Sequence, residues 1–402
     1  MGNRIFRLDR SNPKSNLYVM MLSGAIWTPI STAMGIYWQI YLTMLGASPI
    51  DIAIIAMSST MVLTFSRFLG GYLADVIGRR KLIVSMTYAV SVCYLAMFFA
   101  TTWKIILLTS IFLNIFLLYQ PATEAIIADS TSDGARGKNY GTLNLVPGIM
   151  ILFSPIIAYM FISRYGITWG TRILILLTAI AGFIVGILRT FTLKETIDQR
   201  DSSKVSNGGI LSQYRHVFGI IKKRMFALFV FIMLLGVVGG LTMMTQLYVI
   251  IYLGSGNELW ALLRFMYLLT FVVFIIPAGV ATDHYGRKNV ILIGTILSIF
   301  SITFLLLASL NYTEIFLLFY SILGSISWAL LACSIPSMEA DILPKNIRGK
   351  AYAVIAAANS IALAFSQLFC GYIYVYGENI PYLLALFVLV FMAIIMARIS
   401  EK

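Results

Sequence analysis

Of 402 residues, 60% are hydrophobic and only 11% charged, with a mean hydropathy of +0.90. A water-soluble globule carries about 25% charged residues, so this composition excludes an ordinary soluble fold and makes lipid the solvent. The formal charge of +13 would suit a nucleic-acid binder, but the placement of the charges along the chain points to membrane orientation instead. Cys93, Cys333 and Cys370 fall inside apolar runs and His216 and His284 in separate polar stretches, a pattern that supports neither a disulfide framework nor a metal site.

From the N-terminus, a polar stretch with Arg4, Arg7, Arg10 and Lys14 precedes an apolar run from Leu17 to about Leu45. The run is too long for a signal-peptide core and lacks a small-residue cleavage site, so it is expected to be a retained first helix. Ser48-Pro49-Ile50-Asp51 then opens a second. Serine serves as N-cap, proline suits the first turn, and an acidic third residue favours the helix dipole. Twelve spans follow on this reading, centred on Ser31, Val62, Tyr88, Leu117, Ile151, Ala181, Gly239, Thr270, Leu297, Ala329, Asn359 and Val390. A long polar interval, Lys194 to Arg224, divides them six and six. The expected organisation is a six-helix domain over 1–193, a cytoplasmic linker over 194–224 and a second six-helix domain over 225–402.

Basic residues collect on alternate connections, among them Arg79, Arg80, Lys81, Arg136, Lys138, Arg287, Lys288, Lys345, Arg348 and Lys350. The opposite connections hold Lys104, Arg164 and Arg172. The positive-inside rule then puts both termini in the cytoplasm of a multi-pass plasma (inner) membrane protein. The halves also repeat. G-G-Y-L-A-D-V-I-G-R-R-K at 70–81 returns as G-V-A-T-D-H-Y-G-R-K at 279–288. I-Y-W-Q-I-Y-L at 36–42 resembles L-Y-V-I-I-Y-L at 247–253, and A-D-S-T-S-D-G-A-R-G-K at 128–138 matches A-D-I-L-P-K-N-I-R-G-K at 340–350. The three offsets agree to within about four residues, as tandem duplication requires.

These motifs, and the two-times-six arrangement, resemble the major facilitator superfamily of secondary transporters across essentially the whole chain. Its G-x-x-x-D-x-x-G-R-[RK] signature corresponds to Gly71, Asp75, Gly78, Arg79 and Arg80, and in the second half to Gly279, Asp283, Gly286 and Arg287. A second signature covers Asp129 and Arg136, then Asp341 and Arg348, and Leu193-Lys194-Glu195-Thr196 resembles a third. The glycine-rich signature of drug/proton antiporters is kept only at its proline, Pro155. The resemblance implies that Asp75 faces the segment near Gly349 to Ala351 and that an arginine of the motif pairs with Asp129. Asp283, Arg287 and Asp341 would form the mirror set. Together they would latch the cytoplasmic side, where the plainer expectation is orientation by positive charge alone.

Each residue type in the 70–81 stretch also has a mechanical reason. Gly70 and Gly71 would admit a close helix, Gly78 a sharp turn, and the basic triplet carboxylates and anionic headgroups. Glu124 lies five residues before Asp129, roughly 7–8 Å into the membrane, and is a functional candidate by default. Its span also carries Asn114 and Gln120, with Pro121 placed to kink it. Arg67 can pair with Glu124 structurally, or either can contact substrate. Glu339 reads as an interfacial residue rather than a proton carrier. Arg264 is expected near the outer surface, snorkelling or meeting an anionic substrate. Ser31, Thr32 and Gln39 on the first span and Thr242 and Gln246 on the seventh are candidate substrate contacts near the midplane, while Tyr41 and Tyr252 are assigned to the aromatic belt.

The combined expectation is an all-α membrane protein of two pseudo-symmetric six-helix bundles, not an enzyme. It would move a small organic solute by alternating access, with protons as candidate coupling partner. The partners are then a small-molecule substrate, protons and the lipid bilayer, without nucleic acid or cofactor, and the chain is a monomer. A facilitative uniporter or organic-anion transporter is the near alternative. A transport-inactive sensor is the distant one, since such a sensor usually needs a long signalling tail and this chain stops shortly after its last span.

Overall fold

The computed structural model describes residues 14–131, 143, 145–196, 218–221, 225–310, 314–344 and 347–398, with Lys14 and Asp75 described by their backbone alone. In lipid every backbone N–H and C=O needs an internal partner, and helices supply it; the described residues contain no strand. The first half consists of α1 (Lys14–Ile36), α2 (Trp38–Met44), α3 (Pro49–Ile77), α4 (Arg79–Phe98), α5 (Trp103–Phe116), α6 (Gln120–Asp129) and α7 (Ser154–Thr192). The second consists of α8 (Phe226–Leu241), α9 (Asn257–Tyr285), α10 (Arg287–Leu310), α11 (Glu314–Ile342), α12 (Arg348–Tyr376) and α13 (Ile380–Arg398).

Among the described residues, 11 helical stretches are long and apolar enough to cross a membrane. The longest, Leu145–Thr192, is broken at Gly166, whose φ of 72° is open to glycine. Its two legs account for the fifth and sixth spans. Local signals act where the sequence places them at Ser48, which accepts the Asp51 amide hydrogen at 3.2 Å while Asp51 Oδ2 accepts the Ser48 amide hydrogen at 2.9 Å. That reciprocal pair satisfies two orphan donors of α3. Pro121 likewise sits where the fourth span changes character: α5 ends at Phe116, a 3-10 turn covers Leu117–Tyr119, and α6 begins at Gln120.

Contacts divide the chain into two units, one of Met1–Ile36 with Val62–Val205 and one of Tyr37–Met61 with Ser206–Lys402. In the first unit α1 and α4 both pack on α7, around Val19, Ile83, Ala122, Ile126 and Leu193. In the second, α11 is stitched to α9 by Ser321 donating to Leu263 O at 2.6 Å, Ser325 to Tyr267 O at 2.6 Å and Cys333 to Ile275 O at 3.6 Å. Small side chains let the two backbones approach, and each hydroxyl finds an acceptor that lipid cannot offer. Ser366 to Val237 O (2.7 Å) and Cys370 to Leu241 O (3.2 Å) repeat the device between α12 and α8.

Residues 37–61 lie within the first half in sequence but pack in the second unit, where their polar groups find partners. Tyr37 Oη donates to Asn257 O at 2.7 Å, and the Gln39 amide hydrogen goes to Gln246 Oε1 at 2.9 Å. Thr60 donates to Gln367 Oε1 at 3.0 Å. Tyr41 is 0% exposed, so it is a core residue of this unit and not a belt anchor as its position near a helix end suggests. Tyr252, 42% exposed, stacks on Tyr248 at 5.0 Å between ring centroids.

Candidate functional site

The charged turn between α3 and α4 is built on Gly78, at φ 95° and ψ 135°, a region essentially restricted to glycine. The turn lets α4 start immediately, and its exposed first amides need an acceptor. Glu195 supplies it: Oε2 accepts the Arg80 amide hydrogen at 2.9 Å, placing a carboxylate at a positive helix terminus. Arg79 forms an ion pair with Asp129 and donates to Thr196 Oγ1 at 3.1 Å. Arg80 Nη2 donates to Thr190 O at 2.7 Å. The second copy repeats the geometry. Gly286 has φ 84° and ψ 147°, and Arg287 lies 3.0 Å from Asp341 and 4.0 Å from Asp283. Arg348 turns back to donate to Ala340 O and Leu343 O. Arg136 and the side chain of Asp75 lie outside the described residues.

Replacing Gly78 with alanine is expected to cost about 1–3 kcal/mol for the backbone conformation alone, and its Cβ would stand 3.0 Å from Glu195 Oε2. Gly286→Ala should show the same backbone penalty. Thermal unfolding of the purified variants measures both, and unchanged midpoints would refute a glycine-dependent turn.

Close approach belongs to only one of the paired glycines. A Cβ on Gly70 would fall 1.7 Å from the Leu118 carbonyl oxygen, whereas at Gly71 and at Gly279 it would meet no described atom within 4 Å. The expectation that Gly71 admits a neighbouring helix is therefore corrected: Gly70 does so alone, against the 3-10 turn of the fourth span.

Deeper candidates are used unevenly. Arg67 Nε donates to Gln120 Oε1 at 2.9 Å, so its partner is Gln120 and not Glu124. Glu124 is exposed and forms no ion pair or hydrogen bond among the described residues. Asn114 is buried and spends its amide on Ser110 O at 2.8 Å. Ser31 bonds Thr28 O at 3.2 Å and Thr242 bonds Val238 O at 2.9 Å, both within their own helices. Thr32 is half-buried. Gln39 and Gln246, each singled out separately, bond to one another, and Gln39 Nε2 also donates to Met243 O. They meet where the seventh span loses regularity, with a break after Leu241, a short turn at Thr245–Leu247 and a π-helical turn at Tyr248–Tyr252. Arg264 lies over the rings of Tyr267 (5.2 Å) and Trp260 (6.0 Å), a cation–π arrangement.

One cavity within each unit adds to these residues. In the second, α8, α11 and α12 line an open recess of about 390 Å³, walled mainly by apolar side chains such as Ile232, Leu331 and Ile355, with Trp328 and Tyr352. Glu339 and Asn359 bring the polarity. Glu339 has no ion pair or hydrogen-bond partner for its side chain among the described residues, and Asn359 Oδ1 is buried without one. In the first unit, a cavity of about 250 Å³ holds Arg189. Asn359 and Arg189 carry no role in the sequence reading, and Glu195 enters it only as part of the third resembling motif. Arg189 sits one turn before the last residue of an apolar span, where a snorkelling arginine looks identical in sequence.

A model described as Major Facilitator Superfamily matches residues 17–266 and 252–401. The chain belongs to that superfamily. Its fold is correspondingly close to solved members: the nucleoside transporter NupG superposes with a TM-score of 0.74 at 16% identity, over 97% of this chain and 100% of that one. A D-xylose-proton symporter gives 0.75 at 17%, over 96% and 98%. A relative named Na(+), Li(+), K(+)/H(+) antiporter, from Planococcus maritimus, is 27% identical over 215 residues, covering 49% of this chain and 48% of the relative. The match thus spans about half the length of that relative. As a superfamily member the chain is a multi-pass membrane protein of a transporter family.

Proposed function

We propose that the chain is a secondary active transporter of a small organic solute, working by alternating access and driven by protons through Glu339. The observation that carries this reading is the Glu339 carboxylate in a mostly apolar cavity on a spanning helix, without a cationic partner among the described residues. An ionised carboxylate in such surroundings is costly and marks an ion or substrate pathway. A proton or a bound cation relieves the cost, and the alternation of the two is what coupled exchange requires. The apolar walls with Trp328 and one carboxylate favour an amphipathic cation as cargo. The cavity geometry thus ranks Glu339 above Glu124, reversing their order in sequence.

On this proposal the two six-helix halves, over 1–193 and 225–402, are the moving parts in a plasma membrane, with both termini cytoplasmic. The Arg79–Asp129 and Arg287–Asp341 pairs would stiffen the cytoplasmic ends of their own halves. Exchange of monovalent metal cations for protons is the second reading, favoured by the name of the Na(+), Li(+), K(+)/H(+) antiporter that matches over about half its length. Proteoliposomes loaded with a pH-sensitive dye separate the two. Ethidium should discharge an imposed pH gradient where sodium, lithium and potassium do not. Discharge by the metal ions alone supports the second reading, and discharge by neither removes proton coupling.

A further inference from the structure

The first unit contains a buried charge that no described carboxylate answers. Arg189, on α7, is 9% exposed, yet it does not turn to the carbonyls at the end of its own helix. It reaches across the bundle instead, with Nε donating to Ser23 Oγ at 3.3 Å and Nη1 to Thr87 Oγ1 at 2.8 Å. Its guanidinium lies 5.8 Å from the Tyr119 ring centroid. Two hydroxyls and a ring face orient a guanidinium but bring no formal negative charge. No carboxylate among the described residues pairs with it, and none lines the cavity around it.

A guanidinium offers five N–H donors in a fixed fork, and two of Arg189's nitrogens have partners. Nη2 makes no bond among the described residues and is not one of the enclosed, unpartnered atoms, so it opens on the cavity that Arg189 lines. Stripping such a cation of water costs several kcal/mol unless an opposite charge answers it. A guanidinium is charged at any pH a protein meets, and none of the described carboxylates answers it.

We infer that this cavity is a binding site for a small organic monocarboxylate. One arginine balances a single negative charge, which disfavours a dianion. A carboxylate accepts from the guanidinium fork in the plane the fork presents, and the Thr28 and Thr123 hydroxyls border the same space. Trp27, Val90 and Ile127 form an apolar and aromatic wall for the rest of the molecule. At about 250 Å³ the space falls below that of drug-sized pockets, which limits the ligand to about the size of benzoate. The site lies wholly inside the first unit and does not depend on Glu339 or on proton coupling.

The test uses the full-length protein in detergent, read by thermal unfolding and by tryptophan fluorescence, since Trp27 lines the site. Sodium benzoate should raise the unfolding midpoint and change the emission. Benzamide, its neutral counterpart, and sodium chloride at equal ionic strength should do neither. Arg189→Met should weaken benzoate binding about tenfold or more, as expected for a lost charge-assisted fork. Should that variant fail to fold, Thr123→Ile narrows the cavity while leaving Arg189 intact, and it should also lose benzoate. Equal responses to benzamide and benzoate overturn the proposal, as do no response to benzoate in the wild type or undiminished binding in either folded variant.

Discussion

The Glu339→Gln variant is expected to reach the membrane at normal abundance, retain exchange of labelled substrate between equal pools, and lose accumulation driven by a pH gradient. Glutamine keeps the volume and hydrogen-bonding ends of the side chain but can neither release a proton nor balance a cation. No described ion pair is broken by the change, because Glu339 has none, so folding has little reason to suffer. Coupled flux should fall at least tenfold, equivalent to about 1.4 kcal/mol at the rate-limiting step. Retained exchange distinguishes a lost proton site from a damaged cavity. Glu124→Gln is the matched control, since Glu124 is also unpaired among the described residues but is exposed rather than set in the cavity. If driven accumulation disappears with Glu124→Gln and survives Glu339→Gln, the coupling role passes to Glu124 and the cavity reading fails.

Gly70→Ala should be the most destabilising of the conservative changes considered, by about 3 kcal/mol or more. The added Cβ would stand 1.7 Å from Leu118 O and 2.7 Å from Leu118 C. Both are backbone atoms, so no rotamer can relieve the clash and α3 must move away from the fourth span. The neighbouring change is the discriminating one. At Gly71 the Cβ meets no described atom within 4 Å, and alanine is a better helix former than glycine by up to about 1 kcal/mol. Gly71→Ala should therefore be neutral or mildly stabilising in thermal unfolding of the purified protein. A larger loss at Gly71 than at Gly70 would sink the packing account of both.

Helices, their number and the glycine turns at Gly78 and Gly286 are legible in sequence because each rests on local chemistry. Spanning needs length and apolarity, a cap needs a short polar side chain, and a φ near 90° needs glycine. Which face of a helix looks inward is another matter. In water the buried face is marked by polarity on the other side, but lipid is as apolar as leucine, so the contrast that marks a soluble helix is missing. Tyr41 and Tyr252 therefore look alike in sequence, though one is fully buried and the other half exposed. The same loss of contrast hides Arg189 among the basic residues of helix ends and sets Glu339 below Glu124. The pairing of Gln39 with Gln246 needed a third dimension, because each also fits a substrate contact on its own span.

The capping of α4 by Glu195 bears on where the chain can be divided. By hydropathy the first half ends at Leu193, yet Lys194, Glu195 and Thr196 are tied into it. The Lys194 amide donates to Asn16 Oδ1 at 2.9 Å, Glu195 accepts from Arg80, and Thr196 accepts from Arg79. A half-protein cut at Leu193 would leave the first amides of α4 uncapped, Arg79 short of a partner and the buried Asn16 Oδ1 without its backbone donor. One cut beyond Thr196 would keep all three. For co-expressing the halves as separate polypeptides, three hydrophilic residues beyond the last apolar one thus belong to the fold of the first half and not to the tether.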